Sequence, residues 1–121
     1  FTGKLDNDRL MNYMSASDVT FALYNNISLN NRMCSPNKVF DALHARTYVI
    51  ATKSFLTSDI LLKNNIGVIL NSLSTKNILA AIKECYYKRN NQINNGEWDK
   101  IQLKFCWESE FERVKQKILS M

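Results

Sequence analysis

Between Gly3 and Gly67 the chain runs 63 residues without a glycine, and Pro36 is its single proline. Glycine and proline interrupt regular backbone more strongly than other residues. A chain of 121 residues that carries four of them in all is free to form long uninterrupted elements. Fifteen asparagines supply turn chemistry instead, because asparagine tolerates left-handed backbone better than most residues. The same count excludes collagen-like and Pro/Gly-rich disordered classes. Length and a hydrophobic fraction of 45% predict one domain, residues 1–121, able to bury a core without metal or disulfide.

Start and stop signals together with 3.6-residue periodicity predict an all-α bundle of five or six helices with Asn-rich connections. Met11 and Met14, then Phe21 and Leu23, mark helices near 6–14 and 17–26, with Ser15-Ala16-Ser17-Asp18 spaced as a capping box. Residues 25–33 read as a connection. Ser35-Pro36 places serine at an N-cap and proline at the first helical position. It opens a helix over 36–55 on Val39, Phe40, Leu43, Thr47, Ile50 and Phe55. Thr57-Ser58-Asp59 caps the next, whose stripe is Leu62, Ile66, Ile69, Leu70 and Leu73. A further helix carries Ile78, Leu79, Ile82, Cys85 and Tyr86, and ends on Lys88-Arg89, where cations oppose the macrodipole. Asn90 to Gly96 reads as a loop. In the last segment Ile101, Leu103, Phe105 and Trp107 alternate as in a strand. Trp98, Ile101 and Phe105 also share one helical face, with Leu103, Trp107, Phe111, Val114 and Ile118 on the opposite one. A lone strand would lack a partner, so a helix over 97–119 is expected.

Charge and side-chain chemistry narrow the function classes. Sixteen Lys and Arg against eleven Asp and Glu give +5, spread over the chain with no run of five like charges. That spread is not a nucleic-acid footprint. Ile60-Leu61-Leu62 and Ile66 to Leu70 are too short to span a membrane. His44 is the only histidine, and Cys34, His44, Cys85 and Cys106 lack the close spacing of zinc ligands, so no metal or cofactor is expected. Glu108 and Glu112 stand a helical turn apart among Arg113, Lys115 and Lys117, the pattern of a solvated, ion-paired face. No phosphate-binding glycine loop or nucleophile elbow occurs, and the chain is not expected to be an enzyme.

The aromatics point to a protein partner. Trp98, Phe105, Trp107 and Phe111 fall within fourteen residues, across the Asn-rich loop from Tyr86 and Tyr87. Tryptophan and tyrosine flanked by arginine anchor protein–protein hot spots. Tyr87, Lys88, Arg89, Trp98, Lys100, Lys104 and Trp107 are therefore the candidate partner-binding residues. Cys85 and Cys106, either side of that loop, are the pair expected to bridge if a disulfide forms. The chain opens on Phe1-Thr2-Gly3 without Met, as a mature secreted form or a fragment would, and secretion is the expectation adopted. Asn26-Ile27-Ser28 is a glycosylation sequon.

In size, basic balance, Ser35-Pro36, Cys85 and Trp107 the whole chain resembles the small basic salivary proteins of anopheline mosquitoes, the anophensin and albicin type. The resemblance implies a helical, non-enzymatic secreted protein that binds host plasma proteins. It would inhibit complement or the contact system. The alternatives from other classes are an intracellular helical interaction module, such as a poxvirus Bcl-2-like immunomodulator, and a small-ligand carrier.

Overall fold

A computed structural model describes every residue except Phe1, Asn26, Cys34, Ser35, Gln92, Ile93 and Met121. Its elements are α1 (Asn7–Ser15), β1 (Val19–Ala22), α2 (Leu29–Met33), α3 (Asn37–His44), β2 (Tyr48–Thr52) and α4 (Phe55–Lys63). They continue with β3 (Gly67–Leu70), α5 (Thr75–Asn91), α6 (Asn95–Lys104) and α7 (Trp107–Leu119). The strands form one parallel sheet in the order β1-β2-β3. The chain is therefore α/β, and the expectation of an all-α bundle is overturned.

The sheet lies in segments that looked helical. Phe21 sits in β1 and not in a helix over 17–26. The expected helix over 36–55 is α3, a turn and then β2. The stripe on Leu62 to Leu73 is split between the end of α4 and β3. All five residues of β2 are buried. A parallel strand covered on both faces reads as a continuous apolar run without alternation. Thr47 and Ile50 continued the spacing of Leu43, and Ile66, Ile69 and Leu70 that of Leu62, so a 3.6-residue count absorbed both strands. The β-branched content of Thr47, Val49, Ile50, Thr52, Ile66, Val68 and Ile69 was the signal pointing to strands.

Two turns of the same kind return the chain from helix to sheet. Arg46 and Asn65 have φ of 56° and 53°. Thr47 N–H donates to the Ala42 carbonyl and Ile66 N–H to the Leu61 carbonyl, the closing bonds of Schellman caps. Asn65 carries out the turn role expected of asparagine. Arg46 tolerates the same backbone while its guanidinium reaches α6, ion-paired with Asp99 and bonded to Gln102 at 3.3 Å and Asn95 at 3.4 Å.

Parallel neighbours require crossovers, and right-handed ones place α3 and α4 on one face of the sheet. Val39, Ala42 and Leu43 of α3 and Leu61 of α4 are buried there. α5 packs across all three strands through Ala81 and Cys85, one turn apart. Tyr48 ties the amino edge together, its ring edge-on to Trp98 at 5.9 Å and its hydroxyl donating to the Lys88 carbonyl at 3.4 Å. The segment expected as a continuous helix over 97–119 breaks at Phe105 and at Cys106, whose backbone is extended (φ −85°, ψ 157°). The two opposed apolar faces thereby part company: α6 buries Trp98 and Ile101, and α7 buries nothing.

Caps were displaced as well. Asp6 caps α1, Ser54 caps α4 in place of Thr57-Ser58-Asp59, and Asn94 with Glu97 forms the capping box of α6 inside the expected loop. Pro36 is itself the N-cap residue of α3, and Ser35 lies outside the described residues.

Gly67 is the position where β3, β2 and α4 meet most closely. A Cβ there would stand 2.2 Å from the Val49 carbonyl oxygen and 3.1 Å from the Leu61 side chain. Gly67→Ala should lower unfolding free energy by about 3 kcal/mol, because backbone has to move. Gly96→Ala, which meets nothing nearer than 3.4 Å inside α6, should leave stability equal or raise it by up to about 1 kcal/mol. Urea titration of the two variants gives both signs.

Candidate functional site at the carboxyl edge of the sheet

Because the strands are parallel, all three carboxyl ends reach one edge, and α3, α4 and α5 begin there. A helix start presents unpaired N–H groups and the positive end of the peptide dipoles. The three starts are not equivalent. In α4 the Ser54 hydroxyl accepts the Thr57 N–H at 3.3 Å, and in α5 the Ser74 hydroxyl accepts the Asn77 N–H at 3.3 Å. α3 begins at Pro36, which has no side-chain hydrogen bond to offer, so among the described residues its first-turn amides at Asn37 and Lys38 have no side-chain cap.

Beside that start lies a closed crevice, too narrow to admit a water molecule, lined by Ala22, Tyr24, Pro36, Thr52, Ser54 and Thr57, with Asn31 across it. Its walls are fixed by the Tyr24 N–H, which donates to the Thr52 hydroxyl at 2.9 Å. Thr57 is 1% exposed, and its hydroxyl has no partner among the described residues. An unpaired buried hydroxyl costs on the order of 1–3 kcal/mol, the kind of deficit a bound polar group offsets. The charges placed on adjoining elements are Arg32, Lys38 and Lys53, with Asp59 ion-paired to Lys63 at 2.8 Å.

The residues singled out from sequence lie elsewhere. Trp98 is 5% exposed and belongs to the core. Lys88 and Arg89, in the last turn of α5, are ion-paired with Glu84 and Asp18. Tyr87 is exposed and edge-on to Tyr86, Lys100 lies exposed on α6, and the Lys104 ammonium sits 5.3 Å from the Phe105 ring centroid. Trp107 is 75% exposed and stacks on Phe111 at 5.9 Å. With Val114 and Ile118, also exposed, they form a stripe along α7. The carboxyl edge was not legible from sequence, because the edge exists only once strand order is known. The one local signal was Ser35-Pro36, read as a helix start and nothing more.

Cys85 and Cys106 are both free thiols. Cys106 Sγ bonds the Leu103 carbonyl at 3.2 Å, and Cys85 is buried against the sheet. Burial pushes the Cys85 thiol up to about 11, with Lys88 acting against the shift and Glu84 adding to it. Tyr48 is raised by the same burial, then by Cys85 and Glu97. The third thiol, Cys34, and Asn26 of the sequon lie outside the described residues. Among the described residues no group of His, Cys, Asp and Glu could hold a metal ion, and no helix is long and apolar enough to cross a membrane. No protein family, curated protein or solved structure matches the chain.

The raised Cys85 value fixes the sign of a pH effect. The protonated thiol favours the folded state, so its contribution is complete below the ordinary value of 9.0 and is lost as pH rises through about 11. Cys85→Ala should flatten the fall in stability over that window relative to the parent chain. In native protein at pH 8, iodoacetamide should label Cys106 and leave Cys85 unmodified until denaturant is added.

Proposed function

We propose that the chain is a ligand-binding α/β unit that takes a phosphate-bearing small molecule at the carboxyl edge of its sheet. The observation that carries this reading is the start of α3, where Pro36 offers no side-chain cap, beside the buried hydroxyl of Thr57, which has no partner among the described residues. Ligands of open parallel α/β sheets bind outside the carboxyl ends of the strands, and βαβαβ units of this strand order form mononucleotide-binding halves. Helix starts supply the N–H donors and the field that phosphate oxygens need. Lys38 in the first turn of α3 adds a full positive charge.

Titration of isotope-labelled protein with pyrophosphate, ADP and UDP tests this directly. The amides of Asn37, Lys38, Val39 and Thr57 should shift together, and Lys38→Glu should weaken binding at least about tenfold. Shifts confined to scattered surface lysines, or none at low-millimolar ligand, contradict the reading.

The exposed stripe of α7 supports a second reading, in which the chain binds a protein partner. Trp107 stacked on Phe111 offers the aromatic anchor of a hot spot, with Glu110–Arg113 and Glu112–Lys115 pairs around it. In this reading the partner is a host plasma protein, and the chain is a secreted inhibitor of complement or of contact activation. Alternative-pathway and contact-activation assays test it: inhibition by the parent chain should fall about tenfold or more for Trp107→Ala. No inhibition at micromolar protein, or inhibition indifferent to Trp107→Ala, contradicts it.

A further inference from the structure

A wide groove separates α2 from α4, next to the crevice and sharing Ser54 with it. Its volume is about 890 Å³, within the range of small-molecule sites. Leu29 and Met33 of α2 form one wall, and Phe55, Leu56 and Leu62 of α4 the other. These side chains stand open to solvent: Leu29 is 68% exposed, Phe55 72% and Leu62 62%. Leucine is favoured inside proteins, so five large apolar groups around one depression form a patch and not scattered exceptions.

The polar atoms of the groove narrow its occupant. Arg32, Lys53 and Lys63 stand at its rim with the carboxylate of Asp59, which is paired with Lys63. The described lining residues thus carry three cations and one carboxylate. Ser58 lines the same groove, and its buried hydroxyl oxygen has no hydrogen-bond partner among the described residues. The walls are mostly aliphatic and offer few groups that could read the edge of a heterocycle.

We infer that this groove is a binding site for a single amphipathic anion, an aliphatic chain laid between α2 and α4 with its carboxylate or phosphate head at Arg32. The chain removes apolar wall from water along its length. The head meets the cationic rim. The site does not rest on the reading of the crevice, since its residues other than Ser54 are separate.

Calorimetric titration with octyl, decyl and dodecyl phosphate below their micelle concentrations tests the inference, with decanoate, decanol and decyltrimethylammonium as comparisons. Affinity should rise up to about fourfold per methylene, the equivalent of burying each CH₂. Decanoate should follow decyl phosphate, decanol should bind at least about tenfold more weakly, and the cationic amphiphile should not bind. Leu62→Ser and Leu29→Ser alter exposed side chains and should fold normally by circular dichroism, yet flatten the chain-length dependence. Arg32→Glu should weaken all anions while leaving that dependence intact. Equal binding of the cationic amphiphile, affinity independent of chain length, or unchanged binding in the Leu62→Ser variant each overturn it. So does adsorption only to anionic vesicles without binding of the monomer, which would make the groove a membrane-facing surface, and so does protection of α7 instead of α2 and α4 in hydrogen exchange.

Discussion

Burial of β2 between two parallel neighbours and two helical layers is the constraint on which the rest of the molecule depends. Tyr48 to Thr52 pairs with Val19–Ala22 on one side and Gly67–Leu70 on the other, and every residue of it is buried. A strand in that position has all its backbone groups committed, and every side chain must be apolar or satisfied. Thr52 meets the requirement by accepting the Tyr24 N–H, and Thr47, just before the strand, by donating to the Met14 carbonyl at 2.7 Å. The second of these bonds also fastens α1 to the amino edge.

Parallel pairing has a directional consequence that reaches function. Each strand must be followed by a helix that runs back, so helix starts gather at one edge and helix ends at the other. The amino edge receives the Schellman turns at Arg46 and Asn65, the Tyr48–Trp98 contact and the raised thiol of Cys85, all of them closed and packed. The carboxyl edge receives the start of α3 at Pro36, the hydroxyls of Thr57 and Ser58, which have no partner among the described residues, and the apolar groove beside α2. Stability is concentrated at one edge and unsatisfied chemistry at the other.

What sequence could disclose follows the same division. α1 and α5 were readable close to their boundaries because their apolar stripes are local: expected spans near 6–14 and around Ile78 to Arg89 correspond to Asn7–Ser15 and Thr75–Asn91. β2 and β3 were not, because burial on both faces erases alternation, and their apolar residues extended the spacing of α3 and α4. Trp98 and Trp107 looked equivalent as aromatics. One fills the core against Tyr48 and the other stands in solvent, a difference created by the break at Phe105 and Cys106. Neither the crevice nor the groove left a contiguous motif, since their walls come from β1, α2, β2 and α4 together.

Native-state hydrogen exchange, resolved by residue, tests the central position of β2 most directly. The amides of Val49, Ile50 and Ala51 should exchange only through global unfolding, more slowly than any amide of α7, with cross-strand contacts between the backbones of Ile50 and Val68. Exchange of those amides as fast as α7, or helical i to i+3 contacts running through Thr47 to Thr52, would contradict the account.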